Sequence, residues 1–146
     1  MKYPDIVQYF NTEEGILELI GECQEVFDLI DDCSMKLFNN QLKTVADFQE
    51  ALTRLSGAKM FLDPIANHAE AIAEGAALRK YMEIKNSRAV GEKFVSAAAE
   101  KEADVYAIAY NRLYGDCQGY INACMSGIRA CEGNLAEFKW DYNRTK

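Results

Sequence analysis

Apolar residues recur at alternating steps of four and three along residues 103–142. The stripe comprises Ala103, Ala107, Tyr110, Tyr114, Cys117, Ile121, Cys124, Ile128, Cys131, Leu135, Phe138 and Tyr142, and no charged residue interrupts it. A 3.5-residue repeat held over this length is typical of a long helix that buries a narrow face against partner helices. We call this stripe the seam. It predicts a long C-terminal helix whose seam is buried in the chain's own core, in a subunit interface, or in both.

An amphipathic helix is predicted from Asn11 to about Phe38. Asn11 followed by Glu14 has the pattern of an N-cap with its reciprocal acid. The apolar positions again step by three and four, at Ile16, Ile20, Cys23, Phe27, Ile30 and Leu37. Acidic residues take up much of the remainder: Glu18, Glu22, Glu25, Asp28, Asp31 and Asp32. We therefore expect an acidic outer face on this helix, followed by a turn at Asn39 and Asn40.

A second helix is expected to begin at Thr44 with Asp47 and to run toward Leu62. The Asp63-Pro64 pair interrupts its pattern, because proline is best tolerated at the first position of a helix. We expect a kink or a short break there, followed by an alanine-rich helical segment that continues to Lys85. Residues 86–98 lose the helical period and are predicted to connect this segment to the long helix.

These elements predict an all-α fold, a bundle of three to four helices built on the long C-terminal helix, in a single domain over residues 1–146. Gly115, Gly119, Gly127 and Gly133 lie inside the long helix, where each costs about 1 kcal/mol relative to alanine. We expect close packing to compensate for this cost. Together with other small residues, they predict a second packed side, between subunits of a homo-oligomer.

Charge is unevenly distributed along the chain. The net charge is -7, and residues 1–58 hold 11 acidic and 4 basic residues whereas the remainder is balanced. The N-terminal residues lack the pattern of a secretory signal, and no apolar run approaches the length of a membrane span. We therefore expect a cytoplasmic protein without a membrane partner. Because the five cysteines are an odd number in a helical, non-secreted chain, we expect free thiols.

Candidate catalytic or metal-binding groups are sparse. The single histidine, His68, is expected to be a packed or surface residue. Cys117, Cys124 and Cys131 are seven residues apart, about 10 Å along a helix, which is too far to share a metal ion. Glu70 and Glu74 lack the histidine that a helical di-metal site requires. With no phosphate loop or nucleophile motif, we expect no enzymatic activity, metal or cofactor.

Basic residues concentrate between positions 79 and 93. Arg79, Lys80, Lys85, Arg88 and Lys93 outnumber Glu83 and Glu92, giving a local net charge of +3. With Tyr81 and Phe94 nearby, this composition suits a site that follows a phosphate backbone and stacks a base. A solvated basic helix end has the same composition.

The order of these features resembles the UvsY-type recombination mediators of tailed phages. The resemblance covers roughly residues 50–135. It rests on Ala77-Leu78-Arg79-Lys80-Tyr81, on Lys93-Phe94-Val95-Ser96-Ala97, and on a long final helix with Asp116-Cys117-Gln118-Gly119 and Ile128-Arg129. It implies a helical homo-oligomer that binds single-stranded DNA and helps a recombinase displace the single-strand-binding protein, in the cytoplasm of an infected host cell. The family's DNA-contacting role falls on Arg79 and Lys80, whereas Lys85, Arg88 and Lys93 are added from charge alone.

The acidic N-terminal third has no counterpart in that resemblance and supports a second interpretation. A small acidic helical inhibitor or adaptor, for example a phage anti-defence protein, would use Glu18, Glu22 and Glu25 to occupy a basic protein surface. A third possibility is a helical assembly component that binds only its own copies.

Overall fold

Helices account for nearly all of the chain that the structure describes. The computed structural model describes residues 3–87, 93 and 95–145. Within these ranges the helices are α1 (Tyr3–Tyr9), α2 (Glu13–Phe38), α3 (Val45–Ser87) and α4 (Ser96–Thr145). They pack as a bundle, mainly through α3 against α4. The predicted all-α fold with a long C-terminal helix is confirmed.

The start of α2 differs by one residue from the expected position. The Thr12 hydroxyl accepts a hydrogen bond from the backbone N–H of Gly15 at 3.0 Å, so Thr12 is the N-cap. An N-cap side chain accepts a hydrogen bond from the backbone N–H two or three residues later. Thr12 does so with Gly15, so the assignment of Asn11 as the N-cap is wrong. The helix ends at Phe38 as predicted. Asn40 follows in the left-handed conformation, with φ of 58°, which asparagine adopts more readily than most residues.

The predicted start of α3 at Thr44 and Asp47 is confirmed. The backbone N–H of Asp47 donates to the Thr44 hydroxyl at 3.1 Å, and the Asp47 carboxylate accepts from the backbone N–H of Thr44 at 3.1 Å. A further bond from the N–H of Lys43, at 3.0 Å, reaches the same carboxylate oxygen. The backbone N–H groups of Lys43 and Thr44 therefore hold the pKa of Asp47 below its ordinary value.

This lowered pKa predicts a pH-dependent contribution to stability. A carboxyl group with a depressed native pKa stabilises the fold above its unfolded pKa of about 3.9, and this stabilisation is lost as the pH falls through the native pKa. We expect Asp47→Ala to lower the melting temperature at pH 7, and the difference from wild type to shrink toward pH 2. Thermal melts followed by circular dichroism measure it. Glu137→Ala, which removes an exposed acid elsewhere, is the control, and a loss independent of pH would contradict the expectation.

Helix α3 runs without interruption through Pro64. Of the two expected outcomes at Pro64, the short break is therefore excluded, and the kink stays a prediction. Proline at this position removes one backbone donor, but Leu62 and Ile65 on either side are completely buried. Upstream, the Lys59 ammonium donates to the Asp63 carboxylate at 2.7 Å. We infer that burial of the flanking apolar side chains compensates for the missing backbone hydrogen bond.

The chain divides into two compact units. Unit 1 contains Met1–Gly21 and Pro64–Asp116. Its core side chains include Ile6, Phe10, Ile16, Leu19, Ile65, Ala69, Ala76, Ala103, Ala107, Tyr110 and Leu113. His68 packs edge-on against Phe10, with ring centroids 4.6 Å apart, which is one of the two roles, packed or surface, expected for it.

Unit 2 contains Glu22–Asp63 and Cys117–Lys146. Its core includes Cys23, Phe27, Ile30, Cys33, Phe48, Leu55, Leu62, Cys117, Ile121, Cys124 and Cys131. The Phe27 ring stacks on Tyr120 at 4.2 Å, and the Tyr120 hydroxyl donates to Asp31 at 3.0 Å. All five cysteines are free and buried, so the expectation of free thiols is confirmed. Burial raises the pKa of the Cys124 thiol to about 11.

The chain's own helices bury most of the seam. In unit 1, Ala103, Ala107 and Tyr110 are buried and Tyr114 is half-buried; in unit 2, Cys117, Ile121, Cys124 and Cys131 are buried, while Ile128, Leu135 and Phe138 are half-buried. Tyr142 is exposed, so the seam ends before it. Leu113 and Gly127, which lie off the seam, are also buried. The predicted single domain over residues 1–146 stays a prediction.

The glycines of α4 differ in their packing. A Cβ atom added at Gly127 would lie 2.7 Å from Cδ1 of Leu55 and 3.7 Å from Cδ1 of Leu37. The same atom at Gly115, Gly119 or Gly133 would meet nothing within 4 Å. Within the chain, Gly127 alone among these four permits a close approach, and the packing expected of the other three between subunits stays a prediction.

Candidate nucleic-acid interface

The basic cluster predicted from the sequence begins in the last turns of α3, in unit 1. Arg79, Lys85 and Lys93 are exposed, and Lys80 is half-buried. Arg88, Gly91 and Phe94 lie outside the described residues. Arg79 and Lys85 are six residues apart on the same helix, which separates them by about 9 Å along its axis. These exposed side chains place positive charge at the surface of unit 1 near the end of α3.

Lys80 has contacts within unit 1 that the sequence did not indicate. Its ammonium lies 3.3 Å from a carboxylate oxygen of Glu83 and 5.2 Å from the centroid of the Tyr106 ring. The first contact is an ion pair and the second a cation–π interaction. Because these contacts occupy Lys80, its charge is less accessible to a phosphate than that of the exposed Arg79.

Arg79 lies near the buried Tyr110 and forms no ion pair with an acidic residue among the described ion pairs. Burial, together with a hydrogen bond involving Tyr106, raises the pKa of Tyr110 to about 12, and the positive charge of Arg79 opposes this rise. The guanidinium of Arg79 is exposed and planar, a geometry that suits bidentate binding of phosphate.

Tyr81 is poorly placed for the base-stacking role that the sequence suggested. Its hydroxyl forms a 3.0 Å hydrogen bond with the Ser96 hydroxyl, which joins the end of α3 to the start of α4. The half-buried ring lines a groove that also contains the carboxylates of Glu100 and Asp104. Those negative charges would repel a phosphate backbone beside the ring, so we do not assign base stacking to Tyr81.

The acidic side chains of α2 point away from the core in each unit. Glu18 of unit 1 is exposed, as are Glu22, Glu25, Asp28, Asp31 and Asp32 of unit 2. Asp28 accepts a hydrogen bond from Gln24 at 2.8 Å, and Asp32 pairs with Lys36 at 3.0 Å. Among the described ion pairs none includes Glu22 or Glu25. The predicted acidic outer face of α2 is therefore confirmed.

Two findings concern metal ligands and membrane spans, both within the part of the chain that the structure describes. No three or more His, Cys, Asp or Glu side chains within it are grouped so that they could hold a metal ion. None of its helices combines the length and the apolar character needed to cross a bilayer.

Comparisons with known proteins do not identify a relative: no protein-family model, no curated protein and no solved structure matches this chain.

Proposed function

We propose that this protein binds single-stranded DNA as a homo-oligomer and acts as a recombination mediator, helping a recombinase to load where a single-strand-binding protein covers the strand. The observation that supports the proposal is the exposure of Arg79, Lys85 and Lys93 in one stretch of an otherwise acidic chain. Exposed cations that are close in the chain can each neutralise a phosphate of a single strand. The partners are single-stranded DNA, the recombinase or single-strand-binding protein, and further copies of the chain.

Several copies are needed for useful affinity. One chain offers few accessible cations, and its net charge of -7 opposes association with DNA. When several copies present the same cluster along one path, each additional contact becomes intramolecular and the overall affinity rises steeply. Because the chain itself buries most of the seam, we propose that subunits meet through other surfaces.

Fluorescence anisotropy of a labelled oligo-dT strand, titrated at several salt concentrations, tests this proposal. We expect salt-sensitive binding that weakens severalfold in the Arg79→Ala, Lys85→Ala double variant. The slope of log K against log salt should fall by about 0.7 for each phosphate that the variant no longer neutralises. The matched control is Lys139→Ala with Arg144→Ala, which removes two exposed cations from α4 in unit 2.

Two results would contradict the proposal. Equal weakening in both double variants would mean that net charge alone governs binding. Absence of binding by the wild-type protein at low salt, where attraction is strongest, would remove DNA from the proposal. Light scattering on the same samples shows whether the Arg79 and Lys85 substitutions leave the oligomer intact.

A second candidate function rests on the acids of α2. Glu22 and Glu25 are exposed and belong to no described ion pair, so their charges remain available to a partner. The corresponding function is that of an acidic inhibitor or adaptor that occupies a basic protein surface. The same titration separates the two functions, because this one predicts no DNA binding at any salt concentration.

A further inference from the structure

A groove in unit 1 combines apolar, aromatic and acidic groups. It lies between the last turns of α3 and the first turns of α4 and has a volume of about 420 Å³. Its lining residues are Ala77, Leu78, Tyr81, Glu100, Ala103 and Asp104. The volume is within the range of about 300–1,000 Å³ that is typical of ligand sites. The candidate DNA-binding function does not use this groove.

The acidic part of the groove comes from one turn of α4. Glu100 and Asp104 are four residues apart, which places their Cβ atoms about 5–6 Å from each other on one face of the helix. Both side chains are exposed. Among the described ion pairs none involves either carboxylate. Two adjacent negative charges without a described cation favour a positively charged ligand.

The remaining walls restrict which cation fits. Ala77 and Leu78 provide apolar surface, and Leu78 is 64% exposed at the edge, whereas Ala103 is only 2% exposed. The hydrogen bond between the Tyr81 and Ser96 hydroxyls holds the Tyr81 ring in place. A ligand with an apolar stem and a planar cationic head can therefore contact all three kinds of surface at once. Arginine meets this description better than lysine, because its guanidinium binds carboxylates bidentately, stacks on aromatic rings and is more weakly hydrated.

We infer that the groove between α3 and α4 of unit 1 binds an arginine side chain presented by a partner protein. The stem lies against Ala77 and Leu78, and the guanidinium lies between the carboxylates of Glu100 and Asp104, beside the ring of Tyr81. A strand of DNA is excluded from the same groove by these two carboxylates. The inference therefore stands independently of the proposed DNA binding.

Titration of the full-length protein with acetyl-arginine amide tests this inference. The methyl groups of Ala77, Leu78 and Ala103, labelled with carbon-13, report binding by NMR. We expect saturable chemical-shift changes with acetyl-arginine amide, weaker binding of acetyl-lysine amide, and no saturable change with acetyl-citrulline amide, which has the same shape without the charge. The Glu100→Gln, Asp104→Asn double variant should bind roughly tenfold more weakly, since it removes both negative charges that contact the guanidinium.

Glu132→Gln with Glu137→Gln is the matched control, because it removes two exposed acids from α4 in unit 2. This control should bind acetyl-arginine amide as wild type does. No saturable change with acetyl-arginine amide, or equal responses to arginine and citrulline, would overturn the inference. An equal loss in both double variants would also overturn it, since net charge would then explain the binding. Titration of the Glu100, Asp104 variant with oligo-dT should show undiminished DNA binding if the two sites are separate.

Discussion

Leu113→Ala is expected to lower the free energy of unfolding by about 2–5 kcal/mol, the usual cost of truncating a buried leucine. Leu113 lies in the core of unit 1 and has no exposed surface. Its removal leaves a cavity that neighbouring helices fill only in part. Since domains of this kind have a total stability of about 5–15 kcal/mol, the substitution removes a large fraction of it. Urea denaturation at a fixed protein concentration, followed by circular dichroism, measures the change.

Two further variants make this expectation specific. Tyr114→Ala should cost less than Leu113→Ala, because Tyr114 is only half-buried. Ile108→Ala should change stability by less than about 1 kcal/mol, because Ile108 is 58% exposed. The heptad pattern alone predicts the opposite order for Leu113 and Tyr114. A larger loss in Tyr114→Ala would therefore mean that Tyr114, and not Leu113, is the core residue, as the heptad pattern predicts.

Leu113 illustrates how much of the fold the sequence could predict. The period of apolar residues predicted the long helix, its direction of burial and most of its core positions. It could not predict the width of the buried face, because a strict heptad pattern assigns only two of every seven residues to the core. A helix in a globular core buries a broader stripe, with additional residues beside the two heptad positions. Ala109 and Leu113, both buried, belong to this wider face of α4 in unit 1.

Local sequence signals predicted the start of α3 correctly and misplaced the N-cap of α2 by one residue. Thr44 and Asp47 are three residues apart, and their reciprocal hydrogen bonds form as predicted. At Pro64 the local preference for a helix start was overridden by burial on both sides. Propensity is a weak guide where tertiary packing decides the outcome.

The sequence predicted which basic residues make up the candidate site, but not which of their side chains are accessible. The sequence placed Arg79, Lys80 and Lys85 together because they are neighbours in the chain. It could not show that Lys80 lies over Tyr106, which is 26 residues away. Nor could it show that Tyr81 shares a groove with Glu100 and Asp104. Such contacts depend on the rotation of α3 about its axis and on its packing against α4. The charge of the residues and their spacing in the sequence determine neither.

Gly127→Leu is expected to lower the free energy of unfolding by about 1–3 kcal/mol, the usual cost of overpacking a core. The reason is local, because even a Cβ atom at this position would lie 2.7 Å from Cδ1 of Leu55. Leu55 is itself 1% exposed and belongs to the core of unit 2. The helix-propensity gain of about 1 kcal/mol from replacing glycine only partly offsets this crowding. Gly119→Leu is the control, since nothing lies within 4 Å of a Cβ atom there, and it should increase stability.

A double-mutant cycle identifies the neighbour responsible. Leu55→Val shortens the side chain that a Cβ atom at position 127 would meet, so Gly127→Ala should be less harmful in the Leu55→Val background than in wild type. Residues in contact typically show coupling energies of about 0.5–3 kcal/mol, which urea denaturation at a fixed protein concentration can resolve. Additive effects would mean that Leu55 does not restrict position 127. An increase in stability for Gly127→Leu as large as that for Gly119→Leu would contradict the close approach of α3 and α4 within unit 2.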